Sequence, residues 1–294
     1  MILFVSGRCD VIAFYSEWFM KRWEDGFVDV RNPFNRKLVS RIYFTDVDVI
    51  LFCTKNPINF VDKLKIINKP ILFHVTITPY SKDIEPNVDD KQKIIEAVKE
   101  ISDIIGKENV YVRYDPIFLS AKYDLEYHKK SFARLTDLLD GYVKHIIVSF
   151  IDDYKNVRNN MNILKYHDFT SDDYKEIGEF FSKEALKHGM TVQTCFENET
   201  LVEYGFIKGE CMSKELAKRL TGKDYKKWKA RKENKCECVE MVDIGVYNTC
   251  KHFCKYCYAN YDERRVLVNV ANHDPNSTML IGALEIDDVI KVRR

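Results

Sequence analysis

Short runs rich in Val, Ile and Phe alternate with longer amphipathic stretches along most of this 294-residue chain. The runs are largely continuous in hydrophobicity, which is typical of strands buried on both faces of a parallel sheet. The alternation therefore predicts a parallel α/β fold, and seven runs favour a (β/α) barrel or partial barrel over a doubly wound sheet. The predicted strands are residues 2–6, 47–54, 71–78, 110–117, 145–151, 191–196 and 242–248.

Four stretches between these runs have the periodicity of amphipathic helices. They cover roughly residues 12–24, 89–106, 125–139 and 171–189. Asp at the start of the second stretch, and Gly at the ends of the second and fourth, are residues that commonly cap helices. No Pro/Gly/Ser-rich linker interrupts the pattern, so residues 1–294 are expected to form one domain.

Polar side chains follow the predicted strands at the points where the strands end. In a parallel barrel these ends meet at one mouth, where functional residues gather. A single Arg or Lys there would be an ordinary solvated loop residue, but a converging set favours a binding site. The set consists of Arg8, Asp10, Lys55, Thr76, Arg113, Asp115 and Ser149.

Seven of the nine cysteines fall after residue 190, and three of them lie within "YNTCKHFCKYCYAN" at residues 247–260. Thiolates hold iron–sulfur clusters, and a four-iron cluster bound by Cys250, Cys254 and Cys257 would keep one iron open to another ligand. The competing interpretation is a zinc site in which Cys236 or Cys238 supplies the fourth thiolate.

The spacing Cys-x3-Cys-x2-Cys, with Tyr256 before the last cysteine, resembles the signature of radical S-adenosylmethionine (SAM) enzymes. The letters "YCYA" resemble the box of their spore-photoproduct-lyase-like branch. Other segments resemble that branch more weakly: "GRCDVIAFYSEW" (7–18), "TKNP" (54–57), "VTITPY" with "IEP" (75–86) and "VRYDPI" (112–117). The arrangement also resembles an uncharacterised bacterial family that ends in the same Tyr-Cys-Tyr-Ala-Asn box.

The resemblance implies an enzyme in which the three cysteines of the box hold a [4Fe–4S] cluster whose open iron binds SAM. A one-electron reductase of the flavodoxin or ferredoxin type would reduce the cluster, and SAM cleavage would yield a 5′-deoxyadenosyl radical that abstracts hydrogen from a substrate. Tyr256 and Asn260 would contact adenine or the cluster loop. The candidates for the methionine carboxylate, amine and ribose are Arg8, Asp10, Lys55, Thr76 and Arg113, followed by Asp115 and Ser149.

The order of the segments departs from that family. Its cysteine loop follows the first strand, whereas here the cysteine strand comes last and the other segments keep the family's order from residue 1. A circular permutation would produce this order, and it predicts that strand 242–248 lies beside strand 2–6. Barrels accept such a change when the chain termini lie close together.

The other four late cysteines, Cys195, Cys211, Cys236 and Cys238, could hold a second iron–sulfur cluster or a structural zinc ion, or they could be unlinked thiols. Residues 205–240 are expected to form a basic, cysteine-containing insertion, and residues 213–235 hold ten Lys or Arg against three acids. This run indicates either a solvated face or a phosphate-backbone contact. A zinc-stabilised nucleic-acid-binding module without catalysis is therefore the alternative function.

Composition adds few constraints on partners. The formal charge of +1, from 46 basic and 45 acidic residues, gives no global case for nucleic acid or a membrane surface and slightly favours a small-molecule substrate. No apolar run approaches the ~18 residues of a spanning helix, and no signal-peptide pattern is present, so a reducing, cytoplasmic location is expected. The seven histidines lack an H-x-x-x-H or H-E-x-x-H pattern, which disfavours a metal-dependent hydrolase.

Overall fold

The computed structural model describes residues 1–195, 197, 201–207, 209–227 and 238–294. Its strands are β1 (Ile2–Val5), β2 (Phe27–Arg31), β3 (Leu38–Tyr43), β4 (Val49–Thr54), β5 (Ile71–Thr76), β6 (Val110–Ile117), β7 (His145–Phe150), β8 (Thr191–Thr194), β9 (Met241–Asp243) and β10 (Val289–Val292). Its helices are α1 (Val11–Phe14), α2 (Ser16–Asp25), α3 (Lys91–Ile105), α4 (Leu125–Leu138), α5 (Lys155–Asn159), α6 (Met161–Leu164), α7 (Ser171–Lys187), α8 (Lys214–Thr221) and α9 (Glu263–Ala271).

Local capping sets the bounds of the long helices α3 and α7. The Asp90 side chain accepts hydrogen bonds from two backbone N–H groups in the first turn of α3, and the helix ends at Gly106. Thr170 and Asp173 form a reciprocal capping box at the start of α7. Both helices lie within the ranges predicted for them. In the described ranges, no helix combines the length and the apolar composition needed to cross a bilayer.

Seven strands form one parallel sheet in the order β8-β7-β6-β5-β4-β1-β9. Passing along the sheet from β1 to β8, each strand comes later in the chain than its neighbour, so the order lacks the reversal that defines a doubly wound fold. The fold is therefore mixed α/β with a parallel sheet flanked by helices. Among the described residues β8 and β9 are the edges of the sheet and do not pair with each other, so closure into a barrel is not observed.

The cysteine strand lies beside the N-terminal strand, as the segment order predicts. β9 and β1 run parallel, with Met241 opposite Ile2. β9 ends earlier than expected because the Asp243 carboxylate accepts hydrogen bonds from the backbone N–H groups of Gly7 (3.1 Å) and Gly245 (2.8 Å). These bonds turn the chain out of the sheet, and the rest of the apolar run leads into the cysteine loop.

The two faces of the parallel sheet pack against different parts of the chain. One face forms the main apolar core with α1 to α4 and α7, where the rings of Phe132 and Phe181 stack at 3.8 Å. On the other face, Leu51 and Leu72 pack against Ala217 of α8 and its neighbours. The predicted insertion therefore covers part of the face opposite the main apolar core.

A second sheet, which the sequence patterns did not predict, joins β10, β3 and β2 in that order. β2 and β3 are antiparallel, and the Asp29 carboxylate binds the Arg41 guanidinium through two contacts of 2.8 Å. These strands mix apolar with charged residues, and β10 pairs with β3 from the far end of the chain. The predicted helix over residues 12–24 is divided into α1 and α2 at Tyr15.

Candidate functional site

The carboxyl ends of the parallel strands surround a cavity of about 940 Å³. Cys250, Cys254 and Cys257 line it, so the cysteine loop faces the space that the strand ends enclose. Eight residues assigned to SAM on sequence grounds also line this cavity, namely Arg8, Asp10, Lys55, Thr76, Arg113, Asp115, Ser149 and Tyr256. The predicted convergence of the strand-end side chains on one mouth is therefore observed.

Contacts within residues 248–261 close the cysteine loop into a ring. Asn248 has a left-handed backbone (φ 55°), and its N–H donates to the Ala259 carbonyl at 3.0 Å while its Oδ1 accepts from Tyr261 N at 2.9 Å. The Asn260 amide donates to the Cys250 carbonyl at 2.6 Å. Asn260 thus lies inside the ring and does not line the cavity. Its Oδ1 is buried without a hydrogen-bond partner among the described residues.

Three asparagines outside the loop hold its backbone from other elements. The Asn87 amide donates to a loop carbonyl at 2.8 Å, the Asn160 amide donates to the Lys255 carbonyl at 2.7 Å, and the Asn156 amide donates to the Cys257 carbonyl. Sequence reasoning missed all three because an isolated Asn in a polar segment is indistinguishable from a turn residue.

His252, between the first two cysteines of the loop, contacts Asp10. Its Nε2 lies 2.9 Å from Asp10 Oδ2, which also accepts a hydrogen bond from the backbone N–H of Lys55 at 2.7 Å. The other Asp10 oxygen accepts from Ala13 N at 3.1 Å and caps α1. Asp10 therefore ties the cysteine loop to the segments that follow β1 and β4.

Glu85 is a buried carboxylate beside the loop, with a side chain that is 1% exposed. It accepts hydrogen bonds from Lys55 (2.8 Å) and Thr78 (2.6 Å), and also from Tyr256 and Lys91. Burial alone would raise the pKa of Glu85, but the two lysines outweigh it and lower the pKa to about 2. Two residues assigned to SAM on sequence grounds are thus also partners of one buried carboxylate.

Arg8 and Asp243 form an ion pair where β1 and β9 end. The Arg8 Nε lies 2.8 Å from Asp243 Oδ2, and its Nη2 donates to the Asp243 carbonyl at 2.8 Å. A Cβ at position 7 would lie 2.8 Å from the same carboxylate oxygen, so Gly7 permits this close approach. Asp243 was not among the predicted site residues, although an acid inside an apolar run is a usable signal.

Arg113, Asp115, Ser149 and Thr76 form one polar wall of the cavity. The Arg113 Nε donates to Asp115 Oδ2 at 2.9 Å, and the Ser149 hydroxyl donates to the other oxygen. Burial disfavours the ionised form of Asp115, but Arg113 and Ser149 outweigh that effect and hold its pKa below the ordinary value. Thr76 lies opposite Arg113 in the strand ladder.

Three of the other late cysteines, Cys195, Cys211 and Cys238, also line the cavity. The sulfur atoms of Cys195 and Cys211 are 2.7 Å apart, and the Cys211 thiol also hydrogen-bonds with that of Cys238. Arg113 Nη1 donates to Cys211 Sγ at 3.1 Å. Cys236, the fourth member of the predicted set, lies outside the described residues.

The three sulfur atoms of each cysteine trio do not all lie at the spacing that one zinc ion requires. Zn–S bonds of about 2.3 Å place tetrahedral sulfur ligands about 3.8 Å apart. Among the described residues, the group whose ligand atoms all lie within 4.8 Å of one another is Asp137, Glu184 and His188, which does not line the cavity. Neither cysteine trio has all three sulfur atoms this close together, and the 2.7 Å between Cys195 and Cys211 is shorter than the spacing of two thiolates on one zinc ion.

Two carboxyl groups of the cavity, Glu197 and Asp152, were not assigned on sequence grounds. Glu197 Oε1 accepts a hydrogen bond from Phe150 N at 2.8 Å. Burial raises the pKa of Glu197 to about 8, and burial also raises the pKa of Asp152. The surroundings of Glu197 therefore favour its protonated form.

Two lysines in the described part of the basic run form ion pairs with carboxylates of the protein. Lys218 pairs with Asp224, and Lys223 pairs with Asp48 at the start of β4. Residues 228–235 lie outside the described residues. Both lysines therefore pair with carboxylates of the protein itself.

Comparison with known proteins places the chain in a family without assigning it an activity. A family model described as a domain of unknown function (DUF1848) matches residues 2–259, so the chain belongs to that family. No curated protein matches it.

Proposed function

We propose that this member of the family is a radical SAM enzyme whose [4Fe–4S] cluster is held by Cys250, Cys254 and Cys257. The observation that carries the proposal is the position of these thiols on a large cavity at the carboxyl edge of a parallel sheet. Three thiolates leave one iron for a non-protein ligand. When bound, the reduced cluster supplies the electron that cleaves SAM to methionine and a 5′-deoxyadenosyl radical, which abstracts hydrogen from the substrate.

We infer a circularly permuted partial barrel from the order of the strands. Starting at β9 and β1, neighbours follow chain order as far as β8, and the long helices pack on one face, as in the wall of a (β/α) barrel. The pairing of β9 with β1 is the neighbour relation that a permutation requires. In this scheme residues 1–294 form one domain, and residues 205–240 are an insertion within it.

The polar wall is our candidate for orienting SAM. The Arg113 guanidinium suits a carboxylate, the ionised Asp115 suits an amine, and the Ser149 and Thr76 hydroxyls suit the ribose. Arg8 is a further candidate, although Asp243 already occupies two of its donors.

The remaining candidates are inferred to position the cysteine loop. Asp10 holds His252, and Asn260 holds the Cys250 carbonyl. Lys55 and Tyr256 both donate hydrogen bonds to Glu85. Both also line the cavity, and we retain them as candidates for direct contact with the cluster or with SAM.

A small-molecule substrate fits this cavity best. Its volume of about 940 Å³ lies at the upper end of the range of about 300–1,000 Å³ found for ligand pockets, which leaves room beside SAM. The pairing of Lys218 and Lys223 with acids gives no support to the zinc-stabilised nucleic-acid module. The proposal further implies a cytoplasmic location and a one-electron reductase of the flavodoxin or ferredoxin type.

Anaerobic reconstitution with iron and sulfide tests the proposal. The protein should turn brown and form 5′-deoxyadenosine when dithionite and SAM are added. Cys254→Ala should abolish this activity, whereas Cys53→Ser, which alters another cysteine of the cavity wall, should retain it. Zinc without iron in the isolated protein, together with no SAM cleavage after reconstitution, would sink the proposal.

A further inference from the structure

We propose that Cys195, Cys211 and Cys238 hold a second iron–sulfur cluster on the wall of the same cavity. None of these thiols belongs to the loop of residues 247–260, so the site is separate from the proposed SAM-binding cluster. The inference goes beyond the proposed function and does not depend on SAM cleavage.

Three separate segments bring the thiols together. Cys195 directly follows β8, Cys211 lies in the turn before α8, and Cys238 precedes β9. A backbone hydrogen bond of 3.0 Å from Val239 N to the Met212 carbonyl ties the second segment to the third. The convergence is therefore tertiary, because neighbouring thiols of the set are 16 and 27 residues apart in the sequence.

One contact of these thiols suits anionic sulfur, although hydrogen bonds within the trio and burial raise the pKa values of Cys195 and Cys211 overall. The Arg113 guanidinium, whose side chain is 13% exposed, donates to Cys211 at 3.1 Å. A nearby guanidinium stabilises thiolate over thiol, and hydrogen bonds to sulfur are a common feature of iron–sulfur sites. The same guanidinium also donates a hydrogen bond to Asp115, so Arg113 would connect the second cluster with the polar wall.

Apolar packing is the competing interpretation, and it does not account for the partial exposure of two of the thiols to the cavity. Cys238 is 2% exposed and packs with Met212 and Val239 in an apolar cluster. Cys195 and Cys211 pack against the same apolar cluster, but they are only partly covered and also face the cavity. A small hydrophobic side chain needs neither a cavity wall nor a buried guanidinium, whereas a metal ligand benefits from both.

The three sulfur atoms of the trio, taken together, are too widely spaced for one zinc ion. Cys211 lies between the other two thiols and contacts both. The three sulfur atoms are nevertheless not all within 4.8 Å of one another, which is wider than the roughly 3.8 Å between thiolates on one zinc ion. Several iron atoms bridged by sulfide span such a gap once the Cys195 and Cys211 side chains, whose sulfur atoms are 2.7 Å apart, separate to bind different irons.

Two complementary variants test the inference by iron and sulfide content after anaerobic reconstitution. One replaces the trio (Cys195→Ser, Cys211→Ser, Cys238→Ser), and the other replaces the loop cysteines (Cys250→Ala, Cys254→Ala, Cys257→Ala). The inference predicts that the trio variant loses about a third to a half of the native iron, the loss expected for a two- or four-iron cluster beside a four-iron one. The loop variant should retain that share and still show an iron–sulfur absorption spectrum. Cys53→Ser is the matched control and should keep all of the iron.

The outcomes separate this inference from the proposed function. An unchanged iron content in the trio variant would overturn the second cluster and leave the SAM proposal standing. A disulfide between Cys195 and Cys211 in protein purified without oxygen would have the same two consequences. Iron loss in the trio variant with full retention in the loop variant overturns the SAM proposal instead. If the trio variant does not fold, the loop variant decides alone, since an iron-free loop variant contradicts the second cluster.

Discussion

The two faces of the seven-stranded sheet carry different kinds of side chain, although the same strands supply both. On the helix-covered face, Val75 and Val112 join one large apolar core. On the opposite face the same two strands present His74, Thr76 and Arg113 to the cavity. Because side chains alternate along a strand, one short segment serves both stability and the site.

The polar side chains at the site are positioned mainly by hydrogen bonds and ion pairs with one another. Arg113, Asp115 and Ser149 form one hydrogen-bonded unit, and Lys55, Tyr256 and Glu85 form another. Substitutions on the helix face should therefore change stability without changing the chemistry of the site. Substitutions on the cavity face should do the reverse.

The largest effect is expected for Phe181→Ala on the helix face. Phe181 is fully buried and stacks on Phe132, so truncation leaves a cavity that costs about 3–5 kcal/mol of unfolding free energy. Urea unfolding of the wild type and the variant measures this loss. Iron content after reconstitution should match that of the wild type below the unfolding transition. A variant that is folded but has lost its iron would show that the two faces are not independent.

The second largest effect is a loss of folding stability at acid pH, and it involves His128 of α4. His128 Nδ1 lies 3.0 Å from the Tyr114 hydroxyl, and its Nε2 lies 3.0 Å from the Phe118 carbonyl. Burial lowers the pKa of His128 to about 4 from an ordinary value of about 6.5. Between these values the unfolded chain binds more protons than the folded one, so stability is complete above the upper value and falls as the pH drops towards the lower one. The loss at acid pH is up to about 3 kcal/mol.

Urea unfolding between pH 4 and pH 7 checks this prediction with His128→Gln as the control. The variant should be less stable at pH 7 but should lose less stability on acidification than the wild type. Equal pH dependence of the two proteins would contradict a neutral, buried His128.

The smallest stability change is expected on the cavity face, for Ser149→Ala. The hydroxyl makes one hydrogen bond to Asp115, whose removal costs about 1 kcal/mol. If the polar wall orients SAM, the affinity for SAM should fall about fivefold, as the same energy predicts. Ser102→Ala is the matched control, since Ser102 donates to the Tyr142 carbonyl at 2.6 Å from α3. It should lower the melting temperature similarly and leave SAM binding unchanged, and an equal loss of SAM binding in both variants would contradict the comparison.

Much of the parallel sheet could be predicted because its strands are local, continuous apolar runs. The strands over residues 110–117 and 145–150 match the predicted runs almost residue for residue. The end of β9 was misplaced because Asp243 and Gly245 redirect the chain through tertiary hydrogen bonds. The second sheet was missed because β2 and β3 mix apolar with charged residues and because β10 joins β3 from some 250 residues later in the chain.

The site divides in the same way between local and tertiary information. The cysteine loop is a short motif whose spacing is visible in the letters, and the strand-end residues follow from the fold class. The partners that hold them are not visible in this way. Glu85 and Asn156 reach the loop from elements far from it in the chain, and no periodicity connects them with residues 247–260.

Electron paramagnetic resonance of the reconstituted, dithionite-reduced protein tests the central claim most directly, because it reports on the open iron itself. In a variant with Cys195, Cys211 and Cys238 changed to Ser, the loop cluster is observed alone. We expect the signal of a reduced four-iron cluster whose g-values shift when SAM is added, and no such signal after Cys254→Ala. A reduced-cluster signal that SAM leaves unchanged, or the absence of any cluster signal, would contradict the account.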